Sequence, residues 1–484
     1  MPTTILLLLL LPLVYKFLLS PLLPPRNIPG PFWARFSRLW YLNLVRQGHF
    51  ETANIRLHEQ YGPVVRLAPN LYSLGDIKDI RNVYSTSSKY PKSAWYEAWS
   101  DPAKPSLFSE RDPKKHADIR KKFTSLYTMS SLIKYEELVD SAADLFLLRL
   151  SEFAARGETI DLAYWFQCYA IDVIGNITFG QRFGFLDKGE DIAGTLSMVP
   201  KVFSYGSFVG IYAEWHSIIY NTMIRFRSSA ASGREFILQF VQDNIDRHRD
   251  TLIITKDNNK TTQSFVSRAI NAQKTDPSFT DAHVFMMSQL NVLAGTDTTA
   301  ISLSAILYLL LQFPETLGKL RDEIQTSKCS ERITFQESQA MPYLQAVIKE
   351  ALRVHSAVGV PLWRVVPVGG AQINGRFFPP GSQVGVNPWV VHYNKDVFPD
   401  PASFRPERWI DADEANLKIM NEMFLPFGLG SRTCIGKHIS ILEMSKLIPR
   451  LVRDFDFSPQ GEWKTLNMSF VKPEDWRVAI EKRQ

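Results

Sequence analysis

The stretch Phe427-Gly428-Leu429-Gly430-Ser431-Arg432-Thr433-Cys434-Ile435-Gly436 carries the strongest signal in this chain. Glycines and an arginine surround a single cysteine. Glycine permits positive φ and close backbone approach, so neighbouring N–H groups can turn toward the sulfur. Those donors, with Arg432 two residues away, favour thiolate over thiol. A thiolate held in such a loop can serve as an axial ligand to haem iron. The plainer reading is a buried structural cysteine in a glycine-rich turn, a frequent fate of a lone cysteine.

The ten residues together resemble the haem-binding signature of the cytochrome P-450 mono-oxygenases, Phe-Gly-x-Gly-x-Arg-x-Cys-x-Gly, at every fixed position. The resemblance implies that family's fold, mainly α with a minor β region, and haem b as cofactor. It makes Cys434 the axial ligand of the haem iron. Phe427 would shield the sulfur, Arg432 would pair with a haem propionate, and Gly436 would let the following helix approach closely.

A second constellation, Ala294-Gly295-Thr296-Asp297-Thr298-Thr299, interrupts an apolar helical stretch from about 283 to 313. A helix apolar on all sides should be buried and central. Glycine weakens a helix, and threonine bonds back to the preceding turn, so these residues are locally unfavourable there. A helix kink packed on a neighbour would explain them. Beside the cysteine loop, they resemble the family's oxygen-activating helix, in which Asp297 and Thr298 would relay protons to oxygen. Reducing one oxygen atom to water consumes two protons, and a buried site needs a path for them.

Glu350-Ala351-Leu352-Arg353 places two opposite charges three residues apart on one helical face. Alone, such a pair reads as a solvated surface ion pair of little energetic weight. The family's Glu-x-x-Arg pair is instead buried and joined by a third charge from a Pro-Glu-Arg segment. Phe404-Arg405-Pro406-Glu407-Arg408-Trp409 supplies that segment, so the resemblance implies a structural network of Glu350, Arg353 and Arg408. Haem carries two propionates, so basic side chains should converge on its edge. By resemblance these are Arg432, Arg364, and His116 with Arg120. The last two stand where many members have Trp-x-x-x-Arg; an exposed helix position is an alternative for His116.

The chain has 484 residues and a net charge of +6, without a Lys/Arg-rich run or finger-like Cys/His spacing, which argues against a nucleic-acid binder. Only Cys168, Cys329 and Cys434 occur, too few for a disulfide framework. Residues 1–23 are nearly all apolar, long enough for an N-terminal transmembrane anchor. A proline-rich linker, 24–31, follows, and residues 32–484 form the expected catalytic domain. Arg26, Arg35 and Arg38 follow the apolar segment and no Lys or Arg precedes it, which orients the body toward the cytosol. The expected location is therefore the endoplasmic reticulum membrane.

Further along, alternation at 62–74 predicts a hairpin, helical periodicity dominates 114–324, and residues 360–386 turn to β character. A final helix is expected over about 436–453. Tyr90 to Phe108, with Trp95, Tyr96 and Trp99 among Pro and Ser, reads as a loop with exposed aromatics. By position it corresponds to the family's substrate-covering loop, and residues 202–215 to its mobile lid. With Ala294, Val358 and Leu362 these suggest an apolar small-molecule substrate, aromatic or terpenoid.

No flavin or iron–sulfur segment is evident, so electrons should come from an NADPH–cytochrome P-450 reductase, aided by basic residues such as Lys437 and His438. The style of several segments resembles filamentous-fungal members near the pisatin demethylases, pointing to specialised metabolism or detoxification. A haem-thiolate isomerase or dehydratase is the nearest rival, and a non-catalytic haem-binding protein a second. Members of the first kind usually lack the acid–threonine pair, which is intact here as Asp297-Thr298, and the second would have no use for it.

Overall fold

Val64–Ala68 and Leu71–Leu74 pair antiparallel, forming the expected hairpin. Leu71–Leu74 then runs parallel to Gln383–Gly385, which pairs antiparallel with Arg364–Val365. One four-stranded sheet thus joins the N-terminal part of the chain to its C-terminal third. The fold is that of a computed structural model describing residues 25, 27–104, 106–226, 229–255 and 263–483. The expected membrane anchor, 1–23, lies outside the described residues.

Helices make up most of the rest. The central helix, Asp281–Gln312, begins with a capping box in which Thr280 and His283 satisfy each other's end groups. Among the described residues it is the one helix long and apolar enough to cross a membrane. It is mostly buried inside the fold, as a core helix is. It packs on Leu162–Phe179, on Pro342–Val354 and on the cysteine helix, Lys437–Asp454. In Leu162–Phe179 every residue but Tyr164 is buried; Asp161 caps its start and Gly180, in the left-handed region, ends it.

The central helix runs unbroken through Gly295. A Cβ there would meet Cγ1 of Ile174 at 2.9 Å. Gly295 therefore serves the close approach of two helices.

Two further β elements matter for the site. Arg477–Lys482 pairs with both Phe455–Pro459 and Thr159–Asp161, closing the C-terminus onto the helical core. Thr465–Asn467 and Val471–Pro473 form a second hairpin whose turn holds Ser469 at φ +104°. That value is strained for a residue with a Cβ, and the buried Asn467 supports it by accepting the Ser469 N–H at 3.1 Å.

The reading of residues 90–108 needs correction. Ala94–Trp99 is a 3₁₀ helix, and Trp95 and Tyr96 are buried, not exposed. Trp95 packs edge-on against Tyr96 and tilted against Trp99, so the aromatic spacing serves packing. Phe108 alone among these rings is exposed.

Candidate active site

The cysteine loop is shaped by two glycines in the left-handed region, Gly428 at φ +69° and Gly430 at φ +63°. At Gly430 a Cβ would also collide with the backbone oxygen of Tyr84. The Cys434 N–H donates to the Phe427 carbonyl at 2.8 Å, closing the loop on itself. Cys434 is exposed by surface area, yet its thiol is desolvated, so it stands on the wall of a deep cleft. Burial pushes the thiol up, against the pull of the Gly436 N–H, Arg120 and Lys437. Desolvation thus outweighs the loop donors that were expected to ionise the sulfur. A coordinating thiol, however, loses its proton outright.

Basic side chains gather near this loop. Arg432 donates to the carbonyls of Glu110 at 2.6 Å and Arg111 at 3.3 Å. Arg364 donates to the Tyr96 hydroxyl and the Trp363 carbonyl, and lies over the Tyr84 ring. His116 is buried rather than exposed, which removes the surface alternative. Burial, then the charges of Arg432, Lys92, Arg120 and Arg364, push it down to about 3. Burial and the charge of Arg364 likewise push Arg432 down to about 10, with Glu110 opposing.

Lys92 is the member that sequence reasoning missed. An isolated β-bridge pairs it with Arg364, and the same sheet edge therefore delivers both cations. Its ammonium lies 4.3 Å from the Tyr96 ring centroid and donates to the Phe108 carbonyl. Burial, Arg364, Arg432 and Arg120 hold it well below the ordinary lysine range. The only signal in the sequence was a lysine inside the aromatic stretch 90–108. Five crowded basic groups make a poor resting arrangement unless a polyanion sits among them. A thiol loop beside such a cluster fits haem, whose iron would take the sulfur and whose two carboxylates would take the cations.

On the central helix, Ala294 is exposed and Thr298 half-buried, one turn apart in an otherwise packed segment. The Thr298 hydroxyl donates back to the Ala294 carbonyl at 2.7 Å. Thr299 is 2.9 Å from the Ser440 hydroxyl, tying this helix to the cysteine helix. Asp297 is buried and points elsewhere: its Oδ1 accepts from Gln167 Nε2 and lies 3.5 Å from Lys472 Nζ. Neither partner was foreseen.

Glu350, Arg353 and Arg408 are brought together in the interior, not at the surface. Arg353 binds both Glu350 oxygens, at 2.9 and 2.7 Å, and Arg408 Nε reaches Oε1 at 2.8 Å. Trp409 Nε1 and the Arg405 N–H also donate to Glu350. The remaining guanidinium donors meet carbonyls of His392, Pro399, Asp400, Pro401 and Ser403. His392 extends the network: its Nδ1 meets the Arg353 carbonyl and its Nε2 accepts the Leu425 N–H. Phe427 is half-buried, with Lys437 Nζ 5.7 Å from its ring centroid. Gly436 immediately precedes the cysteine helix; a Cβ there would lie 4.0 Å from the Cys434 sulfur.

A mainly helical fold with a cysteine loop, a cation cluster and a buried central helix defines the haem-thiolate class of oxygenase. The chain belongs to the cytochrome P-450 family, whose model matches residues 28–476. Two proteins of Fusarium vanettenii named pisatin demethylase are each 38% identical over all of this chain, covering 93% and 94% of their own lengths. A cytochrome P-450 monooxygenase of Aspergillus terreus is 36% identical over 92% of this chain and 93% of its own. The chain is therefore an oxidoreductase of the mono-oxygenase type, and its family binds haem iron through a cysteine thiolate. Members of the family generally need a redox partner and act on small molecules.

Proposed function

We propose that this protein inserts one atom of O2 into an apolar, ring-bearing small molecule, with electrons from an NADPH-dependent flavoprotein reductase, in fungal specialised metabolism or detoxification. The observation that carries this reading is the convergence of Lys92, His116, Arg120, Arg364 and Arg432 near the glycine-shaped Cys434 loop. Cys434 would hold the iron, and the five basic groups would hold the propionates. The bound haem supplies oxygen activation.

The protein's own residues supply position and protons. Phe427 covers the sulfur side, and Thr298 with Asp297 would relay protons to oxygen from the central helix. Glu350, Arg353 and Arg408 hold the Pro342–Val354 helix against the segment leading to the cysteine loop. Trp99, Phe203 and Phe470 lie in ring contact near Leu293 of the central helix, which suits a flat apolar substrate. Two relatives are by name demethylases, and hydroxylating an O-methyl carbon releases formaldehyde; a methoxyarene is therefore the first substrate class to try.

Residues 1–23 would anchor the protein in the endoplasmic reticulum membrane, with residues 32–484 facing the cytosol. Lys437 and His438 would meet the reductase. The intact Asp297-Thr298 pair favours oxygenation over isomerisation of a peroxide.

The test is turnover of a methoxyarene and terpenoid panel by haem-loaded protein with reductase and NADPH. A terpenoid product carrying oxygen from 18O2, or formaldehyde released together with the matching phenol from a methoxyarene, absent without reductase, supports the reading. Consumption of organic hydroperoxides without reductase would establish the isomerase instead.

A further inference from the structure

Glu51 is a buried acid that the chemistry at Cys434 does not use. It lies in the first turn of the helix Phe50–Tyr61, and 416 positions along the chain it meets Asn467 of the C-terminal hairpin. Asn467 Nδ2 donates to Glu51 Oε2 at 2.6 Å and to the Gly359 carbonyl at 2.9 Å. Its Oδ1 accepts the Ser469 N–H at 3.1 Å. These partners fix the orientation of the amide, because a flipped one would set its oxygen against two acceptors. Asn467-Met468-Ser469 has the spacing of an N-glycosylation acceptor, yet Asn467 is fully buried and both sides of its amide are engaged. The pattern serves the fold.

The residue that Asn467 holds is the strained one, Ser469, with φ at +104°. Such an angle persists only where its surroundings over-determine it. Besides the bond to Asn467, the Ser469 carbonyl accepts the Gly359 N–H at 3.0 Å, and its hydroxyl meets that of Ser207. The next residue is Phe470, which packs edge-on against Phe203 of the helix Thr195–Gly210, with ring centroids 4.9 Å apart. Phe203 in turn lies against Trp99. A β-bridge sets Phe470 beside Val358, so the strained turn decides where this ring joins the cleft wall. A carboxyl from the N-terminal part of the chain thus reaches the substrate side through one amide and one peptide unit.

We propose that Glu51 is a positioning residue that sets, from behind the cleft wall, which substrate shapes the protein accepts. Through Asn467 it holds the Ser469 turn, and the turn holds Phe470 in line with Phe203 and Trp99. Removing the Glu51 carboxyl leaves an Asn467 N–H buried without its partner, which favours a turned amide and releases the Ser469 N–H. Phe470 then leaves the wall, and a flat aromatic ligand loses a ring to lie against. The proposal rests on the reading of the Phe203–Phe470 side of the cleft as the substrate side.

The test needs no identified substrate. Imidazole and 4-phenylimidazole, whose ring nitrogen binds haem iron and shifts its absorption, are titrated into haem-loaded protein, and the ratio of their Kd values is read. Phe470→Ala deletes the ring and should lower the preference for phenylimidazole about 2- to 10-fold, the range of one aromatic contact. Glu51→Met keeps the stem without the acceptor and should lower it in the same direction, by up to that factor. Asn467→Ala, one link nearer the ring, should do the same, and stands in for Glu51→Met if that variant loses haem. Glu51→Gln keeps an acceptor oxygen for Asn467 and should retain the wild-type ratio. Ser469→Gly removes the Cβ that makes the angle costly, so in that background Glu51→Met should change the ratio little. The unfolding midpoint and the reduced-CO band check fold and haem; a merely structural acid would lower the midpoint and leave the ratio unmoved. An unmoved ratio in Glu51→Met and Asn467→Ala, beside a lowered one in Phe470→Ala, overturns the support by Glu51. An unmoved ratio in Phe470→Ala overturns the substrate-side reading itself, and the proposal with it.

Discussion

The Nε2 of His392 accepts the backbone N–H of Leu425 at 2.8 Å, while its Nδ1 lies 3.1 Å from the Arg353 carbonyl. One neutral imidazole thereby spans the Pro342–Val354 helix and the segment that leads into the cysteine loop. Burial, then the Arg353 charge, push His392 down to about 3, so the ring stays neutral across the physiological range. His392→Asn should destabilise by about 1–3 kcal/mol, the range for a buried group left without its partner. The gap from wild type should narrow as pH falls. The folded value lies below the unfolded one of about 6.5, so this histidine's contribution is complete above that value and is lost toward about pH 3. Urea midpoints of both proteins at pH 7 and pH 4.5 measure it; a constant gap contradicts the assignment.

The Glu350 carboxylate is fully buried between two guanidinium groups. Breaking such a group by removing one partner leaves an uncompensated charge and costs about 3–5 kcal/mol. Arg353→Met should lower the unfolding midpoint by that measure and reduce haem retention. Arg408→Met should do less, because Arg353 still meets both Glu350 oxygens. Equal losses in the two variants would show that the two arginines are not ranked in this way.

Lys92 gives a prediction with opposite signs in two states. Without an anion, Lys92 is pressed against Arg364, Arg432 and Arg120. Lys92→Met should therefore raise the unfolding midpoint of haem-free protein. In haem-loaded protein it removes a charged hydrogen bond worth about 1.5–3 kcal/mol, which is roughly a tenfold or greater increase in haem dissociation. Transfer of haem to an acceptor protein reads the second effect; a variant that lowers both stabilities would remove Lys92 from the propionate set.

Gly428 and Gly430 share a left-handed backbone but not a neighbourhood. A Cβ at Gly428 comes no closer than 3.7 Å to Leu362, whereas one at Gly430 collides with the Tyr84 backbone. Gly428→Ala should thus cost about 1–2 kcal/mol of conformational strain alone. Gly430→Ala should cost more and disturb the reduced-CO band, since backbone cannot yield as a side chain can. A reversed order, read from haem content and melting temperature, would count against the loop geometry.

Cys434→Ala should abolish the reduced-CO band of thiolate-ligated haem. Cys168 is buried and its thiol is pushed up to about 12 by burial, so Cys168→Ala should leave that band in place. Persistence of the band in Cys434→Ala would remove the cysteine from the iron.

The features that could be read from sequence are those with a fixed local spacing. The 62–74 hairpin follows from alternating apolar residues around a turn, and the central helix from its unbroken apolar run. The Phe427–Gly436 loop follows from glycines that only certain backbone angles require. The burial of Trp95 and Tyr96 was not legible, because aromatics among Pro and Ser suit an exposed loop as well as a packed one. The burial of Glu350 and Arg353 was implied by the family resemblance and not by their spacing, since three-residue spacing puts two charges on one face without saying what covers it.

What the sequence determined by itself was the chemistry: a cysteine loop, an acid–threonine pair in an apolar helix, and charges at set intervals. What only the tertiary structure decided was which groups those meet. Lys92 joins Arg364 through a β-bridge, and Asp297 meets Gln167 and Lys472 from opposite ends of the chain. Local spacing specifies backbone angles and faces, which act over a few residues. Partners are set by how whole elements pack, and that depends on hydrophobic surfaces too alike in composition to show, from sequence, which will meet.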